Sequence, residues 1–275
     1  NILNRKPDMK ATTHRLITQT AMALCRKAPS PAMQHGLHRL SQKQEAIYQG
    51  SEKEDWWPLW QRLAHWHFYR SNNDFPELHL VRQTSDLRIE QLEKQLAKPE
   101  SNHHYALTLG RILHHLQDMC CPPHAVPIYH GPGSPDPLEE KMDEYVKEAG
   151  ESLPGMAPLP CHSLFNLYEL AAQSTLAYIS DLENGLKASK NGQAITLPLT
   201  SFWPRYGSSE TISEKGFAQY GPFGKQWGKS EISVAGQHYR IPQEEYQRVS
   251  REIYGRAVAV TRQGMELMIS TYPML

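Results

Sequence analysis

The stretch GRILHHLQDMCCPPHAV, residues 110 to 126, carries three histidines, one aspartate and two adjacent cysteines within seventeen positions. Its apolar residues Ile112, Leu113 and Leu116 recur at helical spacing, and Pro122 and Pro123 remove the backbone donors that would continue the helix. The segment therefore reads as the end of a long helix beginning near Asn102, followed by a sharp break. On that helix His114 and Asp118 are four residues apart and share one face. A histidine and a carboxylate one turn apart make half of a metal site. After the break, His124 can fold back toward them, giving His-x3-Asp-x5-His. His115 lies on a different face and reads as a packed or solvent-touching histidine.

Outward from this segment the chain is patterned for helices. Residues 13–26, 37–48, 86–97, 162–186 and 243–269, and a stretch starting near Leu138, repeat apolar residues at helical period. Gly50 is expected to end the second of these, and residues 86–97 place acids early and lysines late, as the helix dipole prefers. Between residues 196 and 240 glycine, proline, serine and aromatics alternate, so an irregular excursion is expected, with a β-hairpin around Ala235-Gly236. Its aromatics, Phe202, Trp203, Phe217, Phe223 and Trp227 among them, are expected to serve a core or lid. No βαβ rhythm, repeat or low-complexity tract is present, and the expected fold class is all-α, as a single domain over 1–275.

Lysine plus arginine and aspartate plus glutamate both number 29, so no net field draws the chain onto nucleic acid or an anionic membrane. Fourteen histidines, several at helical spacing beside carboxylates, make a metal-ligand composition. The four cysteines form no C-x-x-C pair, which argues against a zinc ribbon or thioredoxin-like motif. No run of about 20 apolar residues appears. The chain begins at Asn1 without a charged-then-apolar leader, as expected of a secreted or periplasmic protein whose signal peptide is removed before Asn1.

The residues LGRILHHLQDMCCPPH resemble the central segment of the zinc-dependent phospholipase C family, related to the S1/P1 nucleases, with its LG-x3-H-x3-D-x3-(Q/T)-P-x-H pattern. Cys121 stands where that family has glutamine or threonine. The resemblance implies a helical bundle around two to three Zn2+ ions. In that family the first residue binds metal through its own main chain, ahead of a histidine about a dozen residues on, and Asn1 and His14 fit. The segment GSEKEDWW matches the family's acidic bend at Asp55, and HFY, twelve positions after it, matches at His67. Asn1 departs from the family's usual tryptophan, which main-chain coordination tolerates.

The resemblance implies that Asp55, His67, His114 and Asp118 hold the first zinc, that Asn1, His14 and Asp118 hold the second, and that His124, Glu139 and Asp143 hold the third. The last pair departs from the family's His-x3-Glu. Glu140 with Glu144 is the alternative register, and His130 is a further candidate for the missing nitrogen. Asp55 is the implied catalytic residue, orienting or deprotonating the attacking water. Trp56 and Asn4 fall at substrate-binding positions, although Trp56 also fits simple packing beside Trp57 and Trp60. A disulfide from Cys120 or Cys121 to Cys25 or Cys161 would brace the loop. The expected activity is hydrolysis of a glycerophospholipid to diacylglycerol and a phosphorylated headgroup, by a monomer acting at a membrane or micelle surface with no stable nucleic-acid partner. The rival expectations are an S1/P1-like single-strand nuclease and a non-catalytic metal-binding surface protein.

Overall fold

The computed structural model describes residues 11–27, 31–54, 67–69, 85–130, 135–147, 156–204 and 217–272. Helices dominate: α1 (Ala11–Lys27), α2 (Pro31–Gln42), α3 (Gln44–Lys53), α4 (Ser85–Ala97), α5 (Asn102–Asp118), α6 (Pro122–Ala125), α7 (Pro137–Lys147), α8 (Leu164–Ser180) and α9 (Gln243–Thr271). A small antiparallel sheet, ordered β2-β1-β4-β3, is formed by β1 (Leu186–Lys190), β2 (Gln193–Leu197), β3 (Glu231–Val234) and β4 (Gln237–Arg240).

Helix α5 is the axis of the molecule. Ser101 caps it by accepting from the His104 N–H at 3.1 Å, and from Ile112 to Asp118 every side chain is buried. A helix buried on every face must be enclosed by neighbours, and α5 packs against α1, α3, α4, α8 and α9. The buried apolar side chains of these elements form one contiguous cluster.

The α3–α5 crossing is tight because two glycines meet there. A Cβ on Gly50 would stand 2.2 Å from the Leu107 carbonyl oxygen, and one on Gly110 would stand 2.1 Å from that of Ile47. Gly50 therefore lies inside α3, which runs on to Lys53, rather than ending a helix as the sequence suggests. The break falls instead at Lys43, between α2 and α3. This approach brings the Ser51 carbonyl against His114.

The hairpin at Ala235-Gly236 forms as expected, joining β3 and β4 with both turn residues at positive φ, 49° and 74°. The helix expected over 162–186 stops at Ser180 and gives way to a 3-10 turn, Leu182–Asn184; a second hairpin, not expected from the sequence, then joins β1 and β2 through Asn191 (φ 49°) and Gly192 (φ 84°). Asn-Gly is the strongest short-range signal for such a turn, because both central residues need positive φ. Phe202, Trp203, Phe217, Phe223 and Trp227 are all buried, so these aromatics of the excursion belong to the core. No described helix is long and apolar enough to cross a membrane.

Candidate metal centre

Asp118, in the last turn of α5 and 1% exposed, is the hub of the centre. Its Oδ2 lies 2.8 Å from His67 Nδ1 and 3.3 Å from His114 Nε2. Its Oδ1 lies 3.5 Å from His14 Nε2 and 3.8 Å from His124 Nε2. The two carboxylate oxygens thus face two different sets of imidazoles. His67 Nδ1 and His114 Nε2 are themselves 2.8 Å apart, and the His14 and His114 rings stack at 3.7 Å.

Local structure explains each placement. Cys121 precedes α6, whose single turn starts with Pro122 and Pro123 and turns His124 back toward Asp118. The 67–69 segment pairs with this turn: Tyr69 N–H donates to the His124 carbonyl at 3.0 Å, and His124 Nδ1 donates to the His67 carbonyl at 2.8 Å. His14 sits in the first half of α1 with Nδ1 donating to Gln117 Oε1 at 2.7 Å. The Gln117 amide is oriented by its own donation to Thr18 Oγ1 at 2.9 Å, and that hydroxyl donates to the His14 carbonyl at 2.8 Å.

The same device recurs at His114, whose Nδ1 donates to the Ser51 carbonyl at 2.7 Å, and at His130, whose Nδ1 donates to the Ile128 carbonyl at 2.7 Å. A carbonyl oxygen can only accept, so it fixes the Nδ1–H tautomer and leaves the Nε2 lone pair facing inward. Metal-ligating histidines are held in this way by their outer partners.

Beside this set lies a second one. His124 Nε2 is 2.7 Å and His130 Nε2 is 3.4 Å from the same Glu139 Oε1, and the two nitrogens are 3.4 Å apart. Glu139 is fully buried in the first turn of α7, where Asp136 Oδ1 accepts from Leu138 N at 2.8 Å and Pro137 begins the helix. Asp136 is itself pinned by Tyr220 Oη at 2.9 Å and Trp203 Nε1 at 3.2 Å, so the aromatic excursion anchors the start of α7.

Burial sets the protonation states. It outweighs all else at His14, pulling its pKa down to about 3, and at His67 and His115, pulling each to about 4. At Asp118 burial alone would favour the acid, yet His124 and His114 together hold the carboxyl well below its usual range. At His124 desolvation is overcome by the Asp118 and Glu139 carboxylates, and the imidazole is held up at about 10. His130 is likewise shifted upward, because the Glu139 carboxylate overcomes its desolvation. Burial thus favours neutral imidazoles at His14, His67 and His115, the form a metal requires, while His124 and His130 hold their protons beside Glu139.

Among the described residues, three groups could hold a divalent ion: His14, His114 and Asp118; His67, His115 and Asp118; and His124, His130 and Glu139. In the second, both His115 nitrogens already face other partners, Nε2 the Glu54 Oε1 at 3.4 Å and Nδ1 the Ser85 hydroxyl at 3.1 Å, so His114, 2.8 Å from His67 Nδ1, is the better partner for His67. Tetrahedral ligation with bonds of about 2.0–2.1 Å sets ligand atoms roughly 3.3 Å apart. The 3.3–3.5 Å separations at His114, His14 and His130 match that edge, whereas His67 and His124 stand at hydrogen-bond distance, 2.7–2.8 Å, from their nearest partners and would have to part slightly to admit an ion. Asp118 Oδ1 is also buried with no hydrogen-bond partner among the described residues, a costly arrangement that a cation relieves. The donor set of imidazole nitrogens and carboxylates fits a first-row divalent ion, a class that includes zinc.

Of the residues singled out in the sequence, His14, His67, His114, Asp118, His124 and Glu139 converge. Asp143 does not join them. Its oxygens accept from Thr12 Oγ1 at 2.7 Å and from Thr13 Oγ1, because α7 turns that face toward the start of α1. His130 takes the place expected of Asp143. Glu140 and Glu144 are exposed, which removes the alternative register. Asn1, Asn4, Asp55 and Trp56 lie outside the described residues.

The expected disulfide is not formed. All four cysteines are free; Cys120 Sγ donates to the Leu116 carbonyl at 3.5 Å and Cys121 Sγ to Glu139 Oε1 at 3.7 Å. His115 is buried rather than solvent-touching, and its partners Glu54 and Ser85, like Gln117, escaped the sequence reading. The only signal for Gln117 is its helical spacing three residues after His114. Comparison with protein-family models, curated proteins and solved structures finds no match to this chain.

Proposed function

We propose that the chain is a zinc metallophospholipase C, a phosphodiesterase with a helical bundle of the zinc-dependent phospholipase C and P1 nuclease type, acting outside the cytoplasm at a lipid surface. One observation carries the reading: the Asp118 carboxylate presents its two oxygens to separate imidazole sets, as a carboxylate bridging two metal ions would. A carboxylate in that role is what the resemblance in residues 109–124 implies, and the convergence of side chains distant in sequence supports the reading.

Hydrolysing a phosphodiester needs a nucleophile at neutral pH and neutralisation of the charge that builds on the phosphoryl oxygens. Zinc, when bound, supplies both, lowering the pKa of water from about 15.7 to roughly 7 and offsetting negative charge. His67 and His114 with Asp118 Oδ2 would hold one ion, His14 with Asp118 Oδ1 a second, and His124, His130 and Glu139 a third. Asn1 and Asp55 complete the first two sets in this reading.

The protein's part is to hold the imidazoles in fixed orientations with their Nε2 atoms facing the centre. Ser51, Gln117 and the backbone at Ile128 and His67 do so by accepting the Nδ1 protons. Burial excludes bulk water and strengthens each charge interaction within the centre. The resemblance assigns Asp55 to the attacking water and Trp56 and Asn4 to the headgroup; an indole face attracts a quaternary ammonium by about 0.5–2 kcal/mol.

The test is the zinc-loaded protein assayed on phosphatidylcholine micelles and on single-stranded DNA. Release of phosphocholine and diacylglycerol is the expected result. Cleavage of the DNA alone would replace the reading with a nuclease on the same centre, and inertness toward both with a metal-binding protein lacking catalysis.

A further inference from the structure

Beside His67 lies a buried ion cluster. Glu54, at the end of α3 and 3% exposed, accepts from Arg88 Nε at 2.8 Å through Oε1 and from Arg111 Nε through Oε2. The same Oε1 faces His115 Nε2 at 3.4 Å, and His115 Nδ1 meets Ser85 Oγ at 3.1 Å. Ser85 also donates its backbone N–H to the Phe68 carbonyl at 3.3 Å. The cluster thus ties together α3, the start of α4, the middle of α5 and the segment carrying His67. The His115 ring stands 4.8 Å from that of His67.

Such a cluster is a poor device for stability alone. Desolvating a carboxylate between two guanidiniums costs about as much as their attraction returns, and apolar replacements of similar volume are often neutral or better. What it offers is a fixed arrangement: the planar guanidiniums hold one carboxylate in one orientation, and with it the imidazole beside His67.

We propose that Glu54, clamped by Arg88 and Arg111, and His115 are positioning residues of the metal centre, holding the His67 ring in place against Asp118 and His114. The assignment rests on the metal-centre reading above. It extends that centre to side chains that touch neither a metal nor a substrate.

The experiment titrates metal-free protein with Co2+, whose visible absorption reports both affinity and coordination geometry. Glu54→Gln and His115→Phe are each expected to weaken Co2+ binding 10- to 100-fold, the usual cost of losing an outer partner, and to alter the spectrum. Glu54→Asp restores part of the affinity. Ile232→Ala, in the buried face of β3, serves as the control that lowers stability but leaves the Co2+ affinity and spectrum at wild-type values. Should Glu54→Gln or His115→Phe fail to fold, Ser85→Ala, which removes only the hydroxyl behind His115, carries the test, with 3- to 10-fold weaker binding expected. Variants that bind Co2+ within twofold of wild type with an unchanged spectrum overturn the proposal. A wild-type protein that takes up no Co2+ overturns the metal-centre reading itself.

Discussion

At the scale of single residues the centre depends on which nitrogen of each imidazole carries its proton. The Gln117 amide can hold His14 only because Thr18 consumes its N–H, leaving Oε1 as the acceptor. Gln117→Leu keeps the volume and removes the acceptor, so His14 loses its fixed tautomer. Zinc affinity measured by chelator competition should fall by about 10- to 100-fold, with little change in helix content. Asp118→Asn is more severe, because an amide presents one acceptor oxygen where the carboxylate presents two. Its metal content at saturation, read by elemental analysis, should drop by at least one ion; full stoichiometry would show that Asp118 does not bridge. Both residues lie within residues 110–126. Asp118 was legible there because spacing alone puts it on the face of His114, whereas the role of Gln117 depends on α1, which spacing within α5 does not reveal.

Among the elements, the α3–α5 crossing fixes the distance between Ser51 and His114. Gly110→Ala forces a Cβ to within 2.1 Å of the Ile47 carbonyl, backbone that cannot rotate away. The helices must part, at a cost of about 1–3 kcal/mol for such overpacking, and the Ser51–His114 hydrogen bond lengthens with them. Urea denaturation should show that loss together with weaker zinc binding, while Gly192→Ala, a turn glycine with nothing within 4 Å, should lower stability alone. The helical character of the chain was legible from its 3.6-residue period. Gly50 misleads because the same residue ends helices and permits close crossings, and only the partner helix decides between them. The third ligand set misleads for a similar reason: Glu139 and Asp143 share a face in sequence, but the side of α7 near Asp143 meets the threonines at the start of α1, and His130 arrives from the preceding loop.

For the whole molecule, the metal-free centre makes stability depend on pH from both sides. His14, His67 and His115 titrate near 6.5 when unfolded and at about 3, 4 and 4 when folded. Below pH 6.5 the unfolded chain takes up protons that the folded one refuses, so stability falls as pH drops from about 6.5 toward 4. His124 has the opposite sign. Its folded pKa of about 10 means that between pH 6.5 and 10 the folded protein keeps a proton the unfolded chain releases, and stability falls again as pH rises through that window. The denaturation midpoint of chelator-treated protein should therefore peak near pH 6.5 and decline on both flanks. Saturating zinc changes the alkaline side: a metal on His124 Nε2 displaces its proton, so the decline above pH 6.5 should flatten or reverse as binding becomes easier with rising pH. Parallel midpoints with and without zinc across pH 5–9 would contradict this coupling, since the proton on His124 and the ion would then not compete for the same lone pair.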